Sequence, residues 1–71
     1  MDIMTYAEWI ESLTIFAKYA PEGLATKVWP CCEHDEMWMG PDPEIVSDED
    51  KARLAELRWS ESDTGNFHHF V

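Results

Sequence analysis

Residues 58–71 read RWSESDTGNFHHFV, and this stretch predicts a β-hairpin that organises the rest of the chain. At its centre, Asp63, Thr64 and Gly65 have the composition of a tight turn with the glycine in the left-handed conformation beside a bulge. This turn predicts the pairs Ser62 with Asn66, Glu61 with Phe67, Ser60 with His68, and Trp59 with His69. Because side chains alternate along a strand, one face is expected to turn to the core, and it carries Trp59, Phe67, His69 and Val71.

A helix is predicted immediately before the hairpin. Ser47 is a suitable N-cap, and the acids at positions 48–50 stand in the first turn, where the helix dipole favours negative charge. The helix is expected to run to about residue 58, with Arg53 and Arg58 towards its C-terminal end. Its narrow apolar face comprises Ala52, Leu54, Ala55 and Leu57. The preceding residues 40–43, GPDP, have the composition of a loop.

Two short strands are predicted further upstream, at residues 27–32 and 36–39, with a turn near residues 33–35. Pro30 has no amide hydrogen to donate to a neighbouring strand. The first strand is therefore expected to lie at a sheet edge or to carry a bulge.

The N-terminal part predicts another helix. Thr5 and Glu8 form a capping box, and Met4 and Trp9 have the spacing of a hydrophobic staple. Apolar residues then recur every three or four positions, at Tyr6, Trp9, Ile10, Leu13, Phe16, Ala17 and Ala20, and are expected to face the core. The polar face opposite would carry Glu8, Glu11, Ser12 and Lys18. Pro21 and Gly23 should end the helix.

The predicted fold is therefore α+β, with the order α-β-β-α-β-β and one domain over residues 1–71. Two hairpins would form a small antiparallel sheet, with both helices packed on it. A chain of 71 residues buries only about 60% of the surface that its unfolded form exposes, so modest stability is expected.

The net charge limits the kinds of partner that this chain can bind. Fifteen acids against five bases give a net charge of −10. Nucleic acids and anionic membranes bind through Lys and Arg, so both are disfavoured and a basic protein is favoured. No apolar run approaches the roughly 18 residues of a membrane span, and the adjacent Cys31 and Cys32 are compatible with a reducing compartment. The expected location is intracellular.

The segment around Cys31, Cys32 and His34 contains zinc-ligand residue types, and His68 or His69 could add another ligand. Paired ligands of structural zinc sites are usually two to four residues apart, whereas adjacent residues on a strand point to opposite faces. We therefore predict no metal site and no cofactor, with one cysteine buried and the other near the surface. The acidic surroundings should not activate a thiol, so no catalytic residue and no enzyme activity are predicted.

The acids concentrate in the second half of the chain. Carboxylates two residues apart on a strand lie about 6.6 Å apart, so a folded acidic face can approximate the phosphates of a nucleic acid strand. The candidate partner-binding acidic face comprises Glu33, Asp35, Glu36, Asp42, Glu44, Glu61 and Asp63. The alternative is that the acids serve solubility and helix capping, which fully explains those at positions 48–50.

Several features between His34 and Phe70 occur together: the His-Asp-Glu turn, the Val-Ser-x-Glu-Asp helix start at residues 46–50, Arg-Leu-x-Glu-Leu at residues 53–57 and the aromatic hairpin. In these the chain resembles a group of small acidic proteins of phages and mobile elements, which often carry glycine where this chain has Arg58. In size, acidity and α+β character it is more loosely similar to phage anti-CRISPR and anti-restriction proteins, several of which imitate nucleic acid.

The second resemblance implies a phage-encoded inhibitor that binds a basic nucleic-acid-binding surface of a host defence complex, such as a CRISPR surveillance complex. It also implies that the protein acts in the cytoplasm of a bacterial host. Two alternatives remain open at this point. One is a non-catalytic accessory or interaction module that uses an exposed aromatic patch. The other is a small zinc-binding protein.

Overall fold

The computed structural model describes residues 4–28 and 31–70, which form two α-helices and one four-stranded sheet. The elements are α1 (Tyr6–Lys18), β1 (Cys31–Glu33), β2 (Glu36–Met39), α2 (Asp48–Glu56), β3 (Ser60–Glu61) and β4 (Phe67–Phe70), with short 3-10 helices at Gly23–Ala25 and Pro43–Ile45. The sheet is antiparallel with the strand order β1-β2-β4-β3. The predicted α+β class and element order are confirmed.

The C-terminal hairpin has the predicted register. Ser60 pairs with His68 and Glu61 with Phe67, while the turn glycine has a φ of 81°. The backbone N–H of Ser62 donates to the carbonyl oxygen of Asn66 at 2.8 Å, which closes the turn. Trp59, Phe67 and His69 face the core as predicted, and Val71 lies outside the described residues.

The N-terminal hairpin is shorter than predicted. β1 begins at Cys31, whereas the sequence predicted a strand from Lys27, and residues 26–28 lie outside any strand. β1 and the four-residue β2 form three residue pairs, of which the outermost is Cys31 with Trp38. β1 does lie at the sheet edge, although Pro30, which motivated that prediction, is outside the described residues.

The hydrophobic core lies between the helices and one face of the sheet. Its buried side chains are Met4, Ile15, Phe16, Val46, Leu54, Leu57, Trp59 and Phe67. The ring of Phe16 lies 5.0 Å from that of Trp59 and 5.6 Å from that of Phe67, measured between centroids. The α2 prediction is partly corrected, since Leu54 and Leu57 are buried but both alanines of the predicted face are exposed.

The predicted buried stripe of α1 is wrong in part. Tyr6, Ile10 and Leu13 are 90%, 66% and 42% exposed, whereas Ser12, predicted to face solvent, is fully buried. The indole N–H of Trp59 donates to the Ser12 hydroxyl oxygen at 3.0 Å, and that hydroxyl donates to the Glu8 carbonyl oxygen at 2.8 Å. A polar side chain can be buried when its hydrogen bonds are made, so α1 turns its serine, rather than its full apolar stripe, towards Trp59.

Three ion pairs connect α1 to α2 and to Arg58, which lies just beyond the end of α2. Lys18 Nζ lies 2.7 Å from Asp50 Oδ2, an Arg53 guanidinium nitrogen lies 2.8 Å from Glu11 Oε1, and Arg58 Nη2 lies 3.2 Å from Glu8 Oε2. The hydrogen bond from Lys18, followed by one from Tyr19, lowers the pKa of Asp50. The Arg53 hydrogen bond likewise lowers the pKa of Glu11.

We expect these contacts to make stability fall in acid. A carboxyl whose pKa is lower in the folded state stabilises the fold above its unfolded pKa, and that contribution disappears as pH falls through the folded pKa. For Asp50 the loss should therefore begin near its ordinary value of 3.8 and continue below it. The free energy of unfolding, measured in urea from about pH 5 to pH 2, should fall less steeply in Asp50→Asn and in Lys18→Met. An unchanged slope in both variants would contradict this expectation.

Arg58 follows α2 in a left-handed conformation, with a φ of 71°. This conformation costs a non-glycine residue about 1–2 kcal/mol, and glycine avoids the cost. We therefore expect Arg58→Gly to be more stable than Arg58→Ala by about 1 kcal/mol in urea denaturation. Both variants lose the ion pair with Glu8, so their difference isolates the backbone effect. Equal stability would contradict the backbone conformation.

Candidate protein-binding face

The two faces of the sheet differ in character. Helices α1 and α2 pack on the side that carries Phe67 and His69, and alternation along the strands places a different set of side chains on the opposite side. We call this opposite side the outer face, and it comprises Cys31, Glu33, Glu36, Trp38, His68 and Phe70.

Three aromatic side chains form a continuous patch on the outer face. The rings of Trp38 and His68 have centroids 5.1 Å apart, and those of His68 and Phe70 are 4.5 Å apart with planes at 85°. Phe70 is 62% exposed. Trp38 and His68 are only partly exposed, so Phe70 supplies most of the exposed aromatic surface. Exposed aromatic groups are typical of protein interfaces.

One end of the outer face is acidic. Glu33 and Glu36 are directly paired across β1 and β2, and exposed Asp35 lies in the turn between them. Like charges directly opposite each other destabilise a strand pair, so this arrangement does not serve the stability of the hairpin. The nearest basic group to Glu36 is the His68 ring, whose Nε2 lies 3.4 Å from Glu36 Oε1.

The ion pairs made by Lys and Arg lie elsewhere in the fold. In the part of the chain that the structure describes, the ion pairs of Lys and Arg join only groups of α1, α2, β3 and Arg58: Lys18 with Asp50, Lys51 with Glu61, Arg53 with Glu11 and Glu56, and Arg58 with Glu8. Within residues 4–28 and 31–70, Glu33, Asp35 and Glu36 have no such partner. In this part of the chain no ion pair with Lys or Arg therefore balances the carboxylates of the acidic end.

The remaining predicted acids lie apart from this end. Glu36 pairs with Phe70 and Met39 with Phe67, so the turn that holds Asp63 is at the opposite end of the sheet. The other three occupy further sites: Asp42 and Glu44 lie in the segment after β2, and Glu61 lies on the far edge strand, 3.8 Å from Lys51. The seven predicted acids thus do not form one continuous face.

Both cysteines are exposed, which corrects the prediction that one is buried. β1 is a three-residue edge strand, too short for its inner side to be covered. His69 is 1% exposed and its Nδ1 lies 3.1 Å from the Arg58 carbonyl oxygen, so it is remote from Cys31 on the outer face. Among residues 4–28 and 31–70, no group of three or more His, Cys, Asp or Glu side chains is placed to hold a metal ion.

Sequence reasoning did not identify the members of the aromatic patch. The signal lay in the alternation along β2 and β4, but it becomes informative only when the register between the two hairpins is known. Comparison with known proteins found no matching family, no matching curated protein and no matching solved structure. No helix within the described residues is both long and apolar enough to span a membrane.

Proposed function

We propose that this chain is a non-catalytic inhibitor that places its outer face on a basic, nucleic-acid-binding surface of a host defence complex. One observation carries the proposal: carboxylates without a Lys or Arg partner and the exposed ring of Phe70 occupy the same face of the sheet.

This combination suits arginine-rich surfaces. A guanidinium group can stack on the exposed ring of Phe70, an interaction worth about 0.5–2 kcal/mol depending on desolvation. It can also bind a carboxylate such as Glu33 through two parallel hydrogen bonds. The net charge of −10 would speed the encounter with a positively charged groove.

The same chemistry makes nucleic acid the natural competitor. A protein that binds DNA or RNA does so through Lys and Arg that contact phosphates, often with stacking onto bases. The outer face offers such a protein carboxylates in place of phosphates and an exposed ring in place of a base. A CRISPR surveillance complex is one defence complex with such a groove, and it is the class of target we propose first.

A second function is favoured by the 62% exposure of Phe70. Under this alternative, the aromatic patch alone binds a partner, and the chain is a phage accessory or interaction module whose acids provide solubility. The salt dependence of partner binding distinguishes the two functions. Contacts between carboxylates and Lys or Arg weaken as salt rises, whereas apolar contacts are nearly indifferent to it.

The test uses the immobilised chain to capture partners from a bacterial host lysate at low and at high salt. We expect a nucleic-acid-binding protein that is lost at high salt. The purified partner should be released by its own DNA or RNA, because the two ligands would share one surface. Simultaneous binding of the chain and nucleic acid, with no effect of salt, would refute the inhibitor and favour the aromatic module.

A further inference from the structure

A titratable side chain, His68, lies in the middle of the aromatic patch on the outer face. Its ring stands between those of Trp38 and Phe70, with centroid separations of 5.1 and 4.5 Å. Its Nε2 lies 3.4 Å from Glu36 Oε1, and its side chain is 15% exposed. His68 therefore contacts both kinds of group that the outer face offers to a basic partner, a carboxylate and an exposed aromatic ring.

The titratable groups that share the outer face with His68 come from two strands. They are Glu36 on β2, and Glu33 and Cys31 on β1. Glu36 is the group in contact with the ring, whereas Glu33 lies one strand further away, directly opposite Glu36. A charge on the ring therefore acts first on the Glu36 carboxylate.

The other neighbours of His68 are uncharged or lie on the helix side of the sheet. β3 places the uncharged Ser60 opposite His68, and the next residue, Glu61, lies 3.8 Å from Lys51 of α2. On β4 the next residue is His69, which is 1% exposed and faces the core. Neither of these charged or titratable groups shares the outer face.

The contact between His68 and Glu36 is longer than a full ionic hydrogen bond. A charged N–H group typically lies about 2.7–2.9 Å from a carboxylate oxygen, as Lys18 Nζ does from Asp50 at 2.7 Å. The separation of 3.4 Å leaves space for the contact to shorten when the ring gains a proton. Histidine is the side chain whose charge ordinarily changes between about pH 5 and pH 8.

We propose that His68 makes the binding of a basic partner to the outer face depend on pH, an inference that rests on the proposed function. When the ring is neutral, the Glu36 carboxylate accepts hydrogen bonds from a guanidinium group of the partner. When the ring is protonated, it pairs with Glu36 and adds a positive charge beside Phe70. The basic partner then binds less tightly.

Protonation and partner binding affect each other reciprocally. If a proton on His68 weakens the binding of a cation by some factor, the bound cation weakens the binding of that proton by the same factor. A guanidinium group that binds at Glu36 therefore displaces a proton from His68 into the buffer. The number of protons released on binding measures this linkage directly.

The probe is a hexa-arginine peptide with blocked termini, titrated into the full chain by calorimetry at low salt. Arginine stays charged throughout, and Asp and Glu ordinarily change charge near pH 4, so pH values of about 6 and 7.5 report mainly on histidine. Two buffers of different ionisation enthalpy give the number of protons released. We expect release at pH 6, little at pH 7.5, and an affinity about two- to fivefold lower at pH 6.

Two histidine variants identify the group responsible. His68→Gln should lose most of the proton release and most of the pH dependence of the affinity. His34→Asn is the matched control, because His34 is exposed in the turn between β1 and β2. Its φ of 56° is a conformation that asparagine tolerates. This control should keep the proton release of the unmodified chain.

Nuclear magnetic resonance of the free chain tests the contact without any partner. The carboxyl carbon shift of Glu36 should change between pH 7.5 and pH 6, because the charge on the neighbouring ring changes. The change should be much smaller in His68→Gln. In the complex, amide shifts of the outer face show where the peptide binds.

Binding at the outer face with equal affinity at both pH values and no proton release would overturn this proposal and leave the proposed function standing. Equal losses of proton release in His34→Asn and His68→Gln would overturn it as well. Peptide-induced shifts confined to other surfaces would contradict the proposed function and this inference together. If circular dichroism shows that His68→Gln does not fold, Glu36→Gln decides the test, since removing the carboxylate should also abolish the proton release.

Discussion

Replacement of Trp59 with alanine is expected to remove a large part of the stability of the fold. Trp59 is 3% exposed and its ring contacts those of Trp9, Phe16 and His69, with centroid separations of 6.0, 5.0 and 5.3 Å. Truncating a buried tryptophan to alanine costs about 3–5 kcal/mol. A domain of this size has a total stability of about 4–10 kcal/mol, so the loss amounts to at least about a third of it and, at the lower end of that range, to all of it.

Two milder variants separate packing from hydrogen bonding. Trp59→Phe keeps a ring in the core but removes the N–H that donates to Ser12. Ser12→Ala keeps the indole and leaves its buried N–H without a partner, which should cost about 1–3 kcal/mol. All three variants can be compared by urea denaturation followed by far-ultraviolet circular dichroism.

Trp38→Ala on the outer face is the control for Trp59→Ala. Trp38 is half-buried and stacks on His68 without joining the hydrophobic core. Its loss should therefore cost much less than that of Trp59. If the two tryptophans proved equally sensitive, the core would not lie on the side of the sheet described above.

The predictable parts of the fold rest on local signals. The capping box at Thr5 and Glu8, the Ser47 cap and the turn at Gly65 each involve residues within three positions of one another, and all were confirmed. Such short-range hydrogen bonds and turn preferences do not depend on the tertiary fold. They can therefore be derived from the residues alone.

The face of α1 that enters the core could not be predicted in this way. It depends on a hydrogen bond between Ser12 and Trp59, residues 47 positions apart. The apolar pattern predicts that Leu13, rather than Ser12, is buried. It contains no information about Trp59, the hydrogen-bond partner that makes burial of the Ser12 hydroxyl favourable. Leu13 remains 42% exposed as a result of the same orientation of the helix.

The residues of the candidate site divide in the same way into those that local sequence predicts and those that depend on tertiary contacts. Glu33, Asp35 and Glu36 come together because they share one short hairpin, which the sequence predicted. The aromatic patch requires the pairing of β2 with β4, which brings Trp38 opposite His68 over 30 positions of sequence. The predicted acids outside the β1–β2 hairpin lie at other places in the fold. Glu61, for example, is on the far edge strand, 3.8 Å from Lys51.

Charge reversal at the acidic end is the second change expected to have a large effect. Replacing Glu33 and Asp35 together with lysine should lower affinity for the captured partner at least about 100-fold, because attraction to a basic surface becomes repulsion of several kcal/mol. Asp63→Lys, at the opposite end of the sheet, is the control and should change affinity little.

The single variant Glu33→Lys distinguishes a binding role from a structural one. It places a lysine directly opposite Glu36, so a destabilising like-charge pair becomes an opposite-charge pair. We expect the free energy of unfolding to rise by about 0.2–1 kcal/mol while the affinity for the partner falls. Titration of the partner and urea denaturation of the same sample measure both quantities. Opposite changes in stability and affinity would mean that Glu33 is placed for a partner at the expense of the fold, whereas unchanged affinity in the more stable variant would remove this residue from the binding face.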